Sequence, residues 1–148
     1  MPVRIQSADF DLGLELQQLA ALRSDTGALV NFVGLVRDSN LNDQVQTLNL
    51  QHYPGMTESI IEQLINEAKQ RWDIYEILVI HRIGTLQPQD RIVLVAVTSA
   101  HRGMAFKACE FIIDKLKTQA PFWKKEQTRD GERWLESRQS DLDSAAQW

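Results

Sequence analysis

Two long stretches of the chain place hydrophobic residues on one face at helical spacing. Ile60, Ile61, Leu64, Ile65, Ala68 and Trp72 form the first stripe, and Ala105, Ala108, Cys109, Ile112, Ile113 and Leu116 the second. Thr57 is suited to cap the first helix, with Glu58 in its opening turn, and Ser99 to cap the second. Pro121 ends that second helix shortly after Lys117. A shorter helix follows Asp9 or Asp11, either of which can cap it, with Leu12, Leu16, Leu19 and Ala20 on one side. Strand patterns cover residues 3–6, 28–36, 45–52, 74–83 and 92–98. Within 45–52, Leu48, Leu50 and His52 alternate with Thr47, Asn49 and Gln51, the mark of a half-buried strand. Residues 92–98 are almost continuously apolar, which predicts a central strand covered on both faces. Gly34 interrupts its strand and predicts a bulge or a close backbone approach.

Turns punctuate these elements at Ser24-Asp25-Thr26-Gly27, Tyr53-Pro54-Gly55-Met56 and Pro88-Gln89-Asp90, and a polar loop runs through Asp38-Ser39-Asn40-Leu41-Asn42-Asp43. Thr128-Arg129-Asp130-Gly131 reads as a hairpin turn between strands 122–127 and 132–135. Residues 140–148 form an amphipathic, helix-compatible tail whose terminal Trp148 needs a surface, on this domain or on a second subunit. Strands and helices alternate, but the late hairpin argues against a doubly wound parallel sheet, so the expected fold class is α+β.

The 148 residues show no linker-like stretch and no repeat, which predicts one domain over 1–148. The longest apolar runs, 77–80 and 92–97, are too short to span a bilayer, and the N-terminus does not read as a signal peptide; a cytoplasmic protein is expected. The single cysteine, Cys109, lies on an apolar helix face and reads as buried filler rather than a nucleophile. Without a CxxC or a His/Cys cluster at ligand spacing, no metal is expected. Gly-rich phosphate loops, G-x-S-x-G and paired catalytic carboxylates are also missing from the sequence.

Charge changes this picture. The net charge of −4 disfavours general nucleic-acid binding. Yet residues 101–129 hold seven Lys/Arg against three acids, a +4 island on a chain otherwise at −8. Such an island suits a small anionic ligand. His101 and Arg102, expected in the first turn of the second long helix, oppose its dipole, a conflict that a bound anion would remove. Arg37, at a strand end beside a glycine and a loop, is either a phosphate grip or a surface cation. Lys117 falls on the last turn of its helix, and Lys124 and Lys125 follow the Pro121 break, with Phe122 and Trp123 holding the chain down. Alternation along an extended segment lets only one of the latter two lysines face Lys117. Two amines held together beside aromatic surface lower each other's pKa and can pass protons near neutrality; the plain alternative is a solvated basic loop.

Five segments occur together and in order: Val36-Arg37, His52-Tyr53-Pro54-Gly55-Met56-Thr57, Ile80-His81-Arg82-Ile83-Gly84, Ser99-Ala100-His101-Arg102, and Lys117-Thr118 with Ala120 through Glu126. In these the chain resembles the large, catalytic subunit of molybdopterin synthase, the MoaE family, from about residue 25 to residue 148. The resemblance implies an α+β fold of the α/β-hammerhead type. It implies a homodimer with a small ubiquitin-like subunit at each end, a heterotetramer in which the C-terminal Gly-Gly thiocarboxylate of the small subunit threads into the catalytic one. Sulfur transfer to cyclic pyranopterin monophosphate, making the dithiolene of molybdopterin, would follow, with no cofactor of its own. By position, Lys117 and Lys124 match the essential lysines. Leu35, Val36, Arg37, His101, Arg102, Lys125, Glu126 and Arg138 match substrate-binding positions. Leu35 stands where relatives can carry a lysine, and Gly103 where a serine can stand. Two other readings fit the same cationic pocket: a non-catalytic module holding a pterin or phosphate ligand, and a scaffold subunit whose groove captures a partner's tail.

Overall fold

The computed structural model describes residues 2–41 and 43–148, so the Asn42 position of the polar loop lies outside the described residues. The elements run β1 (Val3–Gln6), α1 (Leu12–Ala20), β2 (Ala28–Leu35), β3 (Ser39–Asn40), β4 (Asp43–His52), α2 (Met56–Arg71), β5 (Ile77–Arg82), β6 (Gly84–Leu86), β7 (Arg91–Ser99), α3 (Arg102–Gln119), β8 (Phe122–Thr128), β9 (Gly131–Leu135) and α4 (Gln139–Ala146).

One sheet has the order β1-β5-β7-β2, with only the β1–β5 pair parallel. The second sheet runs β3-β4-β8-β9, and β6 pairs with β4 along the edge that β8 leaves free. This is the α+β arrangement expected of the sequence. Strand β7 is interior and buried over most of its length, as its unbroken apolar run requires. The α2 and α3 stripes cover one face of the first sheet, through Ile61, Ile65, Ala68, Ala105, Ala108 and Ile112. Leu12, Leu16 and Leu19 of α1 cover the other. Burying each of these leucine and isoleucine side chains contributes about 1.5–3 kcal/mol. Val36, Leu48, Leu50 and Leu86 build a separate small core under the second sheet. The tail folds as α4, and Trp148 lies edge-on against Trp72 and Phe111 of its own chain, its indole N–H donating to Asp114 at 2.7 Å.

Local chemistry departs from the sequence expectations at several ends. Asp11, not Asp9, caps α1, accepting from Leu14 N–H at 3.1 Å. Thr57 does not cap α2. Gly55, at φ +84°, occupies that position, and Glu58 accepts from its N–H at 2.8 Å. The Thr57 hydroxyl instead accepts from Tyr53 N–H and donates to the Pro121 carbonyl, each at 3.0 Å. Ser99 does not cap α3 either. Its hydroxyl is committed to the Asp73 carbonyl at 2.8 Å, and the helix opens from His101 without a side-chain cap. The expected strand 74–83 begins only at Ile77, because Thr98 Oγ1 receives Glu76 N–H where a ladder carbonyl would otherwise stand. Beyond it Gly84, at φ +87°, redirects the chain into β6, a strand not anticipated from the pattern. The polar loop likewise contains the short β3.

Candidate active site

A cleft of about 250 Å³ opens where the two sheets meet beside the end of α3. Three local features build it. The first is the bulge between Gly34 and Leu35, where β2 slips register against β7. A Cβ on Gly34 would come within 2.9 Å of Val93, so only glycine fits this approach. Past the bulge Val36 turns inward, 3 % exposed, with its N–H bonded to Asp90 O and its carbonyl accepting from Gln89 N–H. Val36 therefore has neither side chain nor free N–H for a ligand; its contribution is to set Leu35 and Arg37 at the mouth of the cleft. Both are exposed there.

The second feature is the exit from α3. Lys117 sits in the last helical turn, as the Pro121 stop demands. The chain reverses through Ala120, and Thr57 pins the Pro121 carbonyl, so β8 starts directly beside that turn. Alternation along β8 sends Phe122, Lys124 and Glu126 to the cleft. Lys125 points to the opposite face, where it pairs with Glu132 at 2.8 Å and lies 5.2 Å over the Trp134 ring. That placement corrects the assignment of Lys125 to the pocket and leaves Lys124 as the lysine that faces Lys117. Trp123 is also on the outer face, 46 % exposed, so Phe122 alone anchors the turn from within.

The third feature is the segment after β9. Arg138 stands at the start of α4 and reaches Asn40 Oδ1 on β3. Glu126 is 5 % exposed, and its carboxylate is already held by Asn40 and Arg133. Glu126 belongs to the wall of the cleft rather than to its free ligand-binding groups.

The electrostatics follow from this packing. Burial, then the neighbouring Lys117 charge, pulls the Lys124 ammonium below the ordinary lysine range. Arg138 pushes the same way and Asp141 opposes. His81, 3 % exposed, also lines the cleft. Its Nδ1 donates to the Arg82 carbonyl at 2.8 Å, which leaves Nε2 unprotonated. Burial pushes its pKa down to about 3, so the ring is neutral. Cys109 is buried under α3 and its thiol is pushed up to about 12 by that burial, as befits filler.

His101 and Arg102 lie elsewhere. They are exposed at the start of α3, beside the Ala28–Ser99 end of the β2–β7 pair. The fifteen residue-to-residue steps from Arg102 to Lys117 span about 22 Å of helix. One copy of the chain cannot bring them to its own lysine pair. Asn40, Arg133 and His81 were not singled out for the site from the sequence. His81 falls inside a recognisable segment and Asn40 in the polar loop, but a burial register across two sheets is needed to bring them to one cleft.

What remains is a small concave site with Lys117, Lys124, Arg37 and Arg138 around it and Asp141 as a counter-charge to Lys124. It can hold an anion and move a proton at an amine. No helix among the described residues is long and apolar enough to cross a membrane. Residues 5–119 match the sequence model of a family described as MoaE protein. A molybdopterin synthase catalytic subunit of Ralstonia nicotianae is 54 % identical over 146 residues, covering 99 % of this chain and 83 % of that one. The MoaE protein of Burkholderia ambifaria superposes with a TM-score of 0.84 at 50 % identity, over 99 % of this chain and 96 % of the other. A crystal structure of molybdopterin synthase from Staphylococcus aureus gives 0.85 at 31 % identity, over 92 % and 98 %.

Proposed function

The chain belongs to the MoaE family, and from that premise we propose that it works as the catalytic subunit of molybdopterin synthase. It takes sulfur from the C-terminal thiocarboxylate of a small ubiquitin-like subunit and delivers it to cyclic pyranopterin monophosphate. The observation that carries this reading is the facing pair Lys117 and Lys124, one exposed and one half-buried with a lowered pKa, in a cleft rimmed by arginines. The thiocarboxylate sulfur attacks a substrate carbon and displaces an oxygen substituent, which leaves with a proton, and a second thiocarboxylated small subunit repeats the step at the neighbouring carbon to complete the dithiolene. One lysine exchanges the proton, and the other ammonium stabilises the negative charge that develops. Water then cleaves the acyl–sulfur link, so the sulfur stays on the pterin and the partner leaves as its carboxylate. Arg37 and Arg138 hold the phosphate. The sulfur arrives on the partner, so the reading calls on no catalytic cysteine and no resident cofactor, and it places the reaction in the cytoplasm.

His101 and Arg102 act in a second copy's cleft. Strand β2 is a free edge of its sheet, with Ala28 at the His101 end and Leu35 at the cleft end. A two-fold packing along that edge exchanges the ends and delivers His101 and Arg102 of one protomer to the lysines of the other. The assembly is then a homodimer carrying a small subunit on each protomer. Mixed dimers test this. Arg102→Ala and Lys117→Ala homodimers should both be inactive, whereas a heterodimer of the two regains one intact cleft and about half the activity of a wild-type dimer. An inactive heterodimer would mean that Arg102 serves its own protomer's cleft, and an active Arg102→Ala homodimer would place it outside the site. The reaction itself is tested by turnover of Lys117→Ala and Lys124→Ala in complexes shown to retain the small subunit. Both should lose turnover while Arg37→Ala mainly raises KM; loss of assembly instead of turnover would favour a scaffold.

A further inference from the structure

The arginine at the rim is held by a residue that carries no charge. Asn40 sits on β3, half-buried in the cleft wall. Its side-chain Nδ2 donates to both oxygens of Glu126 at 3.1 Å, and its Oδ1 accepts from Arg138 Nη2. The amide can sit only this way round, because a carboxylate can only accept and a guanidinium can only donate. Behind it Arg133 closes the network. Arg133 donates through Nε to Glu126 at 3.0 Å, through Nη2 to the Asn40 carbonyl at 2.8 Å and through Nη1 to Asp43 at 2.6 Å. Both backbone and side chain of Asn40 are thus fixed from the buried side. Arg138 is exposed, and Asn40 is its only side-chain hydrogen-bond partner among the described residues.

We propose that Asn40 is a positioning residue for the substrate: it aims the Arg138 guanidinium into the cleft, and the buried Glu126 with its half-buried partner Arg133 sets the direction in which the Asn40 amide points. This rests on the reading of Arg138 as a phosphate-holding group. A long exposed arginine that must be ordered by the ligand loses affinity, and a partner that orders it beforehand restores that affinity. The same network explains why Glu126 belongs to the site without touching the ligand. It acts two residues removed, through Asn40 and then Arg138.

The test is a double-mutant cycle in the assembled complex with thiocarboxylated small subunit, reading KM for cyclic pyranopterin monophosphate and kcat separately. Loss of one charge-assisted hydrogen bond predicts about a tenfold rise in KM for Asn40→Ala, with kcat within about twofold of wild type because neither lysine moves. Arg138→Ala should raise KM at least as far, and the double variant no further than Arg138→Ala alone. If Arg138→Ala leaves KM unchanged, the phosphate-holding reading of Arg138 fails. If Arg138→Ala raises KM and Asn40→Ala does not, that reading stands and the Asn40 proposal is overturned. Additive effects would also overturn it, because Asn40 would then act by another route. A readout that needs no variant is the nitrogen NMR of the Arg138 guanidinium in the wild-type protein. Separate Nη signals, from slowed rotation, are expected; a single averaged signal contradicts the proposal.

Discussion

The imidazole of His81 lies flat on the ring of Phe122, with centroids 3.7 Å apart and planes 15° from parallel. The stack joins the end of β5 to the start of β8, so the strand that carries Lys124 is seated on a buried neutral histidine. His81 pays for that seat with a low pKa, about 3 against an ordinary 6.5, chiefly through burial and against the upward pull of its bond to the Arg82 carbonyl.

Acid stability should report this directly. The unfolded chain binds a proton at His81 below about pH 6.5, and the folded chain does not until about pH 3. Stability conferred by the neutral ring is therefore full above pH 6.5 and falls as the pH drops, by up to about 1.4 kcal/mol per pH unit. Urea unfolding at pH 7, 6 and 5 should show a steeper loss for wild type than for His81→Gln. Parallel slopes would mean that the histidine is charged, or solvated, in the folded state.

Lys124 should titrate low and respond to its neighbours with opposite signs. Removing the Lys117 charge with Lys117→Gln raises the Lys124 pKa, since a repelling cation is gone. Asp141→Asn lowers it further, since the opposing carboxylate is gone. Side-chain NMR titration, with Lys124→Ala to identify the signal, distinguishes the two. An unmoved Lys124 in both variants would show that the amines are separated by solvent.

Thr57 ties the chain reversal before β8 to the start of α2. It is fully buried, and Thr57→Val keeps its shape while stranding the Tyr53 N–H and the Pro121 carbonyl. The cost should be about 1–3 kcal/mol in chemical denaturation, with Thr57→Ser close to wild type. Equal stability of the valine variant would mean that water serves both groups.

Gly27 tests the other end of the first sheet. A Cβ there would stand 2.2 Å from the Ala100 carbonyl oxygen, a backbone atom that cannot turn aside. Gly27→Ala should cost about 1–3 kcal/mol through forced separation of β2 from the start of α3, seen as a lowered midpoint in thermal unfolding. An unchanged midpoint would show that the strand end is free to move.

Much of this architecture was legible in the chain. The α2 and α3 stripes, the burial of β7, the β8–β9 hairpin and the bulge at Gly34 follow from periodicity and glycine placement alone. Alternation past Pro121 limits Lys117 to one facing lysine, although it takes the β8 register to show that this is Lys124, and the opposed dipole at His101 and Arg102 marked them as unusual. What was not legible required tertiary context. Thr57 and Ser99 have good capping chemistry, but each hydroxyl is aimed at a carbonyl of a distant segment and accepts from an N–H outside its helix, which local pattern cannot reveal. Val36 and Glu126 matched pocket positions by sequence yet serve as wall and anchor, because the β2–β7 bulge turns Val36 inward and Asn40 and Arg133 take up the Glu126 carboxylate. Asn40 has no distinguishing neighbour in sequence at all. Its partners are 86, 93 and 98 residues away.

The most direct test of the lysine cleft as the sulfur-transfer site is single-turnover product formation. The wild-type chain and Lys124→Ala, each assembled with thiocarboxylated small subunit, are mixed with cyclic pyranopterin monophosphate, and dithiolene is followed in time. Wild type should form product, and Lys124→Ala should form it at least about a hundredfold more slowly from an equally assembled complex, the usual scale for loss of a proton-transfer group. Equal rates from the two would contradict the account, and would move the chemistry out of this cleft.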